Sequence, residues 1–239
     1  VLLGSNYKAA YVRPERGVEM AVGMFDMLGP ITVGPSSSHT AGAVRIGLAC
    51  RSILKEDVKK AKITFYGSFA TTYKGHGTDK AVVGGLLGFG TADLRVRDSL
   101  TLAPEMGLEF SIRTEDNPRY HPNTVYIEAE SEHNSVTLRA SSIGGGAIRL
   151  TEINGFEVSV NCNADTLIVF GRDVIGVFHS ISGVIREAGY NIATIYLNRE
   201  KRAGDTVIIL ETDVPIDEHT INTIQNLDNI IGVVAIEKF

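Results

Sequence analysis

The chain has 239 residues, 44% of them hydrophobic and 21% charged, with a formal net charge of -5. That length allows one or two domains, and the composition excludes a disordered chain. The acidic balance argues against nucleic acid as the main partner. No apolar run reaches the ~20 residues of a membrane span and no signal-peptide pattern is present, so a cytoplasmic location is expected.

Residues 1–19 have weak periodicity and a turn-rich stretch, Arg13-Pro14-Glu15-Arg16-Gly17. Two readings are open: an extension ahead of a natural start at Met20 or Met24, or an ordinary flexible terminus. A fold-like α/β pattern runs from residue 20 to 163. Ala41, Val44, Leu48, Ala49 and Ile53 predict a helix, and Lys62–Tyr66 a strand. Ala81–Leu87 reads as helical despite its glycines. Strands are expected at Leu108–Arg113, Thr124–Ala129, Val136–Arg139, Ala147–Leu150 and Phe156–Val160, with a linker over 161–165.

The remainder, 164–239, has the clearest pattern. Thr166–Phe170 is a short apolar strand. Phe178, Ile181, Ile185 and Ala188 recur at helical spacing, and Gly189 caps that helix. Strands follow at Ile192–Leu197 and Thr206–Leu210. Pro215 and Asp217 open a second helix through Ile221, Ile224 and Leu227, and Ile230–Ile236 closes as a strand. The order β-α-β-β-α-β is that of a ferredoxin-like sandwich.

Four polar motifs carry candidate chemistry. Gly34-Pro-Ser-Ser-Ser-His-Thr-Ala-Gly42 precedes an amphipathic helix, where hydroxyls and the free N–H groups of a helix start make an anion-binding nest. An N-cap accounts for one serine, but not for Ser36, Ser37, Ser38, His39 and Thr40 in a row. Gly75-His-Gly-Thr-Asp-Lys80 sets His76 between two glycines on backbone that a ligand can approach closely, beside Thr78 and Asp79. An ordinary imidazole titrates near ~6.5 and suits proton transfer at neutral pH. This run is not a dinucleotide fingerprint, since Lys80 stands where the third glycine belongs. Tyr120-His-Pro-Asn-Thr124 reads as a turn. Ser141-Ser-Ile-Gly-Gly-Gly146 weakens a sheet, which leaves a bulge or a close approach of ligand or partner as its reason.

The two cysteines, Cys50 and Cys162, are far apart and lack CxxC spacing. They make no disulfide framework, and they fall short of the four thiolates that typically hold an iron–sulfur cluster.

Two resemblances follow from these residues. The C-terminal part resembles an ACT domain, on Asp173-Val-Ile-Gly176 at the first strand-to-helix turn and Gly189-Tyr-Asn-Ile192 before the second strand. Ile175 stands where the family often has proline. The resemblance implies that Gly176 and Asn191 help hold a small amino acid between paired modules; a turn-only role for both is the alternative. The set Gly34-Pro-Ser-Ser-Ser-His-Thr, Gly67-Ser-Phe-Ala, Gly75-His-Gly-Thr-Asp-Lys and Ser142-Ile-Gly-Gly-Gly is similar to the β portion of iron–sulfur-dependent bacterial L-serine dehydratases, over about Phe25 to Phe239. The implied fold class is α/β (α+β), an allosteric-substrate-binding-like domain followed by a ferredoxin-like ACT domain.

What this second resemblance implies is a β subunit that completes the active site of a separate α subunit, in a lyase that converts L-serine to pyruvate and ammonia. The α subunit would carry the [4Fe–4S] cluster, and this chain would supply no metal ligand. His76 is the first choice for general base or substrate-orienting group and His39 the second. Ser36, Ser37, Ser38, Thr40, Thr78 and Asp79 are the expected substrate-binding residues. A homodimer through the ACT segment is expected. The β domain also resembles the allosteric domain of some phosphoglycerate dehydrogenases, which gives the alternative of a non-catalytic amino-acid sensor. A hydrolase using Ser37 and His39 is the weakest reading, for no G-x-S-x-G elbow is present.

Overall fold

A computed structural model describes residues 36–199 and 201–238. The extension read at 1–19 and the starts at Met20 and Met24 lie outside the described residues.

A short π-helical turn, Ser37–Gly42, opens directly into helix α1, Ala43–Leu54. Ser36 caps the turn, its Oγ accepting from His39 N at 3.2 Å. Buried Ala43, Ile46, Ala49, Cys50 and Ile53 recur every three or four residues along α1, which is why it packs as a helix. Strand β1, Lys60–Tyr66, precedes α2, Gly67–His76, and α3, Thr78–Leu86. Gly77 separates these two helices in the left-handed conformation, φ 70°, which ends α2 without a side-chain penalty.

The glycines of α3 have a packing reason. A Cβ on Gly85 would lie 2.2 Å from the Val44 carbonyl oxygen, and one on Gly47 would lie 2.4 Å from that of Val82. Helices α1 and α3 therefore cross in backbone contact, and burial there outweighs the ~1 kcal/mol propensity cost of a mid-helix glycine.

A 3₁₀ turn at Leu94–Asp98 and a short helix α4, Ser99–Glu105, complete the crossover to strand β2, Glu109–Glu115, which pairs in parallel with β1. Strands β3 (Thr124–Glu130), β4 (Ser135–Gly144), β5 (Ala147–Ile153) and β6 (Phe156–Val160) then add antiparallel, giving the sheet order β2-β1-β3-β4-β5-β6. The pairing of β4 with β5 shifts register between Ser142 and Gly144, the bulge that was one of the two readings of this run. Gly144, Gly145 and Gly146 all have positive φ and make the tight link from β4 to β5, with Arg45 of α1 donating to the Gly146 carbonyl at 2.7 Å.

The second sheet has order β10-β7-β9-β8, all antiparallel: β7 is Asp165–Arg172, β8 Ile192–Arg199, β9 Asp205–Thr212 and β10 Ile230–Ile236. Helices α5 (Val177–Glu187) and α6 (Glu218–Gln225) cover one face, burying Leu167, Val169, Ile208 and Leu210 with Ile181, Ile185 and Ile224. The opposite face, with Ile168, Val207, Ile209, Val234 and Ile236, joins the core that α1 shares with the first sheet. A sheet covered on both faces explains why β7 and β9 read as continuous apolar runs rather than alternating ones. The ferredoxin-like order expected for 164–239 is the order observed. Among the described residues no helix is long and apolar enough to cross a membrane.

Candidate active site

The four motifs singled out in the sequence, the first of them over its described residues 36–42, lie on or around the π turn. His39 is half-buried on that turn. Its Nδ1 lies 3.3 Å from Ser36 Oγ and its Nε2 lies 3.4 Å from Ser68 Oγ, at the start of α2. The His39 ring packs edge-on to Phe69, with centroids 5.1 Å apart. His76, the last residue of α2, stands on the other side, its ring centroid 4.7 Å from that of His39. Helix α2 thus carries both Ser68 and His76 to the π turn. The Gly75-His-Gly run is not a free turn, because His76 closes a helix and only Gly77 breaks it.

The other two motifs support this arrangement from below. The Pro122 carbonyl accepts from Phe69 N at 3.2 Å and so satisfies one open donor at the start of α2. Gly67 is required there, since a Cβ would come within 2.7 Å of the Pro122 oxygen. The Asn123 carbonyl accepts from Ser142 N at 3.0 Å, and Thr124 Oγ1 and Ser141 Oγ are 2.7 Å apart. Ser142 in turn lies against the π turn: a Cβ on Gly42 would fall 2.2 Å from Ser142 Oγ.

Electrostatics differ across the site. Burial, and then the neighbouring His76, lower the pKa of His39 from its ordinary value of 6.5. His39 is therefore neutral at pH 7, with one ring nitrogen a donor and the other an acceptor toward Ser36 and Ser68. His76 is exposed, and among the described residues no hydrogen bond ties its ring. Thr40 Oγ1, Thr78 Oγ1 and Ser142 Oγ are buried without a hydrogen-bond partner among the described residues. A buried hydroxyl without a partner costs ~1–3 kcal/mol, and three of them lie on or beside this turn.

The expected site residues separate accordingly. Ser36, His39, Thr40, His76 and Thr78 belong to the π turn or to the helices packed on it. Ser37 and Ser38 are half-buried on the turn and make no described contact with either histidine. The serines that do reach His39 are Ser36 and Ser68, and Ser68 was not among the expected residues, although Gly67-Ser-Phe-Ala contains it. Asp79 is buried in the first turn of α3, where its Oδ1 accepts from Lys80 N at 2.8 Å, a favourable place for a carboxylate. Ser142 was likewise missed as a site residue; its signal was the Ser-Ile-Gly-Gly-Gly run.

In the second sheet, Gly176 opens α5 with φ 93°, and the exposed Asn191 donates from Nδ2 to Asp213 Oδ2 at 2.8 Å. Asp173 holds the turn before Gly176 through Arg199 Nη1 at 2.9 Å and Ala203 N at 3.1 Å. Ile175, in the position where a proline would stiffen that turn, is fully exposed.

Cys50 and Cys162 do not fit a cluster. Both are buried, and burial pushes both thiols up to about 12, with the Glu211 charge adding to the effect on Cys162. Neither presents the thiolate that ligates metal. Among the described residues no group of three or more His, Cys, Asp or Glu is placed to hold a metal ion.

Comparison with known proteins agrees with this layout. The family described as serine dehydratase beta chain matches residues 23–106, and the ACT domain family matches residues 166–229. The chain is 39% identical over 213 residues to a probable L-serine dehydratase, beta chain, of Bacillus subtilis (strain 168), covering 89% of this chain and 97% of that one. It is 37% identical over 200 residues to the L-serine dehydratase, beta chain, of Peptoniphilus asaccharolyticus, covering 81% and 88%. It is 22% identical over 195 residues to a D-3-phosphoglycerate dehydrogenase of Bacillus subtilis (strain 168), covering 82% of this chain but 37% of that one.

Proposed function

The chain belongs to the L-serine dehydratase β-chain family, and from that premise we propose that it completes the active site of a cluster-bearing α chain for the conversion of L-serine to pyruvate and ammonia. The observation that carries the reading is the convergence of His39, His76, Ser68 and the orphaned hydroxyls of Thr40 and Thr78 on one π turn. The two cysteines do not fit a [4Fe–4S] cluster, and the reading assigns the cluster to the α chain, where an open iron would supply Lewis acidity toward the substrate hydroxyl.

This chain's own residues have separate tasks. The first N–H groups of a helix lack intrahelical partners, so Ser37 and Ser38 offer donors to a substrate carboxylate beside the hydroxyls of the turn. His76, exposed and untied, takes the Cα proton at a ring nitrogen. His39, tethered to Ser36 and Ser68 and held neutral, fixes the geometry of the turn and presents an uncharged face to His76. Loss of the Cα proton and of the hydroxyl leaves an aminoacrylate, which hydrolyses to pyruvate and ammonia. Asp79 holds the start of α3 and so sets Thr78.

The four-stranded sheet serves regulation in this reading. Its edge strand β8 exposes Ile195 and Leu197, each 49% accessible, and pairs with a second copy. Gly176 and Asn191 then bind a small amino acid between the two copies. The sensor-only alternative is weakened by the coverage of the phosphoglycerate dehydrogenase relative, of which this chain spans about a third.

The test is anaerobic co-production with a cysteine-bearing α chain, followed by assay of pyruvate from L-serine. Activity of the pair, with none from either chain alone, is the expected result. Equal activity from the α chain alone would reduce this chain to a regulator.

A further inference from the structure

The link from β2 to β3, residues 116–123, is mostly exposed, yet its carbonyls serve two elements of the site. Pro122 O accepts from Phe69 N at the start of α2, and Asn123 O accepts from Ser142 N of β4. An exposed loop makes such contacts with precision only where its own side chains lock it. Tyr120, half-buried and directly ahead of this turn, is placed to do so.

Three contacts grip Tyr120. Arg139 Nη1 donates to its hydroxyl at 3.0 Å, and the same guanidinium stands 4.7 Å from its ring centroid. The Tyr66 ring meets it edge-on, with centroids 5.0 Å apart and planes at 88°. Tyr66 is the N-cap residue of α2, so Tyr120 holds the start of that helix twice, ring against ring and through the Pro122 carbonyl two residues on. Arg139 is itself fixed. Its neighbours Leu138 and Ala140 are buried in the core, which by strand alternation sets Arg139 on the other face of β4. There it pairs with Glu152 Oε2 at 2.7 Å, and its Nε donates to Thr151 Oγ1 at 3.3 Å. The paired side chains are only 16% and 18% exposed.

An ion pair drawn largely out of water returns little net stability, but a network of oriented partners defines one geometry. We propose that Tyr120, backed by Arg139, is a positioning residue for the π-turn site: it fixes the 121–124 turn, so that α2 presents Ser68 and His76, and β4 presents Ser142, to the π turn. This rests on reading the π turn as the reaction site. Among the described residues neither Tyr120 nor Arg139 bonds to His39 or His76, so both act through the turn.

The experiment has two arms. In the full chain alone, amide hydrogen exchange is followed by NMR. Tyr120→Leu should speed exchange at the Phe69 and Ser142 amides at least ~10-fold beyond any change at Ala49 of α1 and Ile63 of β1, whereas a general loss of stability would move all four alike. In the complex reconstituted with an α chain, the same variant should lower kcat by ~10–10²-fold, as for catalytic groups that are intact but displaced, with KM little changed. Tyr120→Phe keeps the ring on Tyr66 and removes only the hydroxyl, so it should restore most of the turnover. Should Tyr120→Leu fail to fold, exchange and turnover in Arg139→Lys decide, since lysine keeps a charge for Glu152 but loses the guanidinium fork that also reaches Tyr120. Uniform exchange at the four amides, or parental kcat despite faster exchange at Phe69 and Ser142, overturns the proposal. A parental complex that makes no pyruvate would instead sink the dehydratase reading, and the exchange arm would still decide whether Tyr120 holds α2 and Ser142.

Discussion

The imidazole rings of His39 and His76 stand with centroids 4.7 Å apart and planes inclined by 42°, one ring half-buried on the π turn and the other exposed at the end of α2. Two imidazoles so close do not both carry a proton easily, and the more buried one yields. The inner ring is accordingly held in its neutral form.

The sign of that effect gives a stability prediction. Burial and the His76 charge lower the pKa of His39 below 6.5, so below that pH the unfolded chain takes up a proton that the folded chain resists. The contribution of His39 is fully present above pH 6.5 and is lost as pH falls from 6.5 toward its folded pKa. Melting temperature of the isolated chain should therefore drop on acidification through that window, and the drop should be smaller in His39→Gln. Parallel profiles for the two proteins would rule the coupling out.

The fit of Gly42 against Ser142 yields a packing test. A Cβ at position 42 would lie 2.2 Å from Ser142 Oγ and 2.7 Å from its Cβ. Gly42→Ala should destabilise by about 1–3 kcal/mol, the usual cost of overpacking, although alanine is the better helix former. At roughly 2–4 °C per kcal/mol for a chain of this size, thermal melts resolve it. Ser142→Gly removes the clashing side chain, so the double variant should recover most of the loss. A strictly additive double variant would show that the two residues do not touch.

What was legible in the sequence, and what was not, follows from where the forces act. Strands β6 and β10 are bounded as their apolar patterns predict, and α5 shows its stripe in Ile181 and Ile185. Helix α2 shows none. Gly67 and Gly75 lie near its ends, Thr71 and Thr72 are poor helix formers, and Phe69 is its one buried side chain. Tertiary contact makes it helical, through Phe69 in the core and the Pro122 carbonyl on Phe69 N. The site was legible as motifs but not as an arrangement. Nothing local in Ser68 says that its hydroxyl meets His39, because that contact depends on how β1 and α2 deliver it. The role of Tyr120-His-Pro-Asn-Thr124 was hidden for the same reason: it reads as a turn, and it is one, yet its carbonyls brace both α2 and β4.

The exposed edge of the second sheet can be tested without any partner. Ile195 and Leu197 are each 49% accessible on β8, the outermost strand beside β9. Leu197→Lys places a charge on that edge, the device by which natural sheets avoid pairing. Light scattering should give a dimer for the parent chain at micromolar concentration and a monomer for the variant, with melting little changed. A dimer that survives the substitution would move the contact to another surface.

The outer histidine carries the sharpest prediction. In the complex reconstituted with an α chain, His76→Ala should lower kcat by ~10²–10⁴, the usual value of a positioned acid–base group. Three observations point to this residue rather than to His39: it is exposed, no described hydrogen bond occupies its ring, and Gly77 beyond it leaves space for close approach. His39→Ala should act differently. It releases Ser36 and Ser68, so it should disturb the π turn and lower melting temperature together with turnover. The measurement is turnover per assembled, cluster-loaded complex, with melting temperature and α-chain affinity recorded beside it. Loss of turnover in His76→Ala at unchanged stability and assembly is the expected result. Near-parental turnover would transfer the proton-accepting role to His39 or to the α chain and leave His76 as the residue that ends α2.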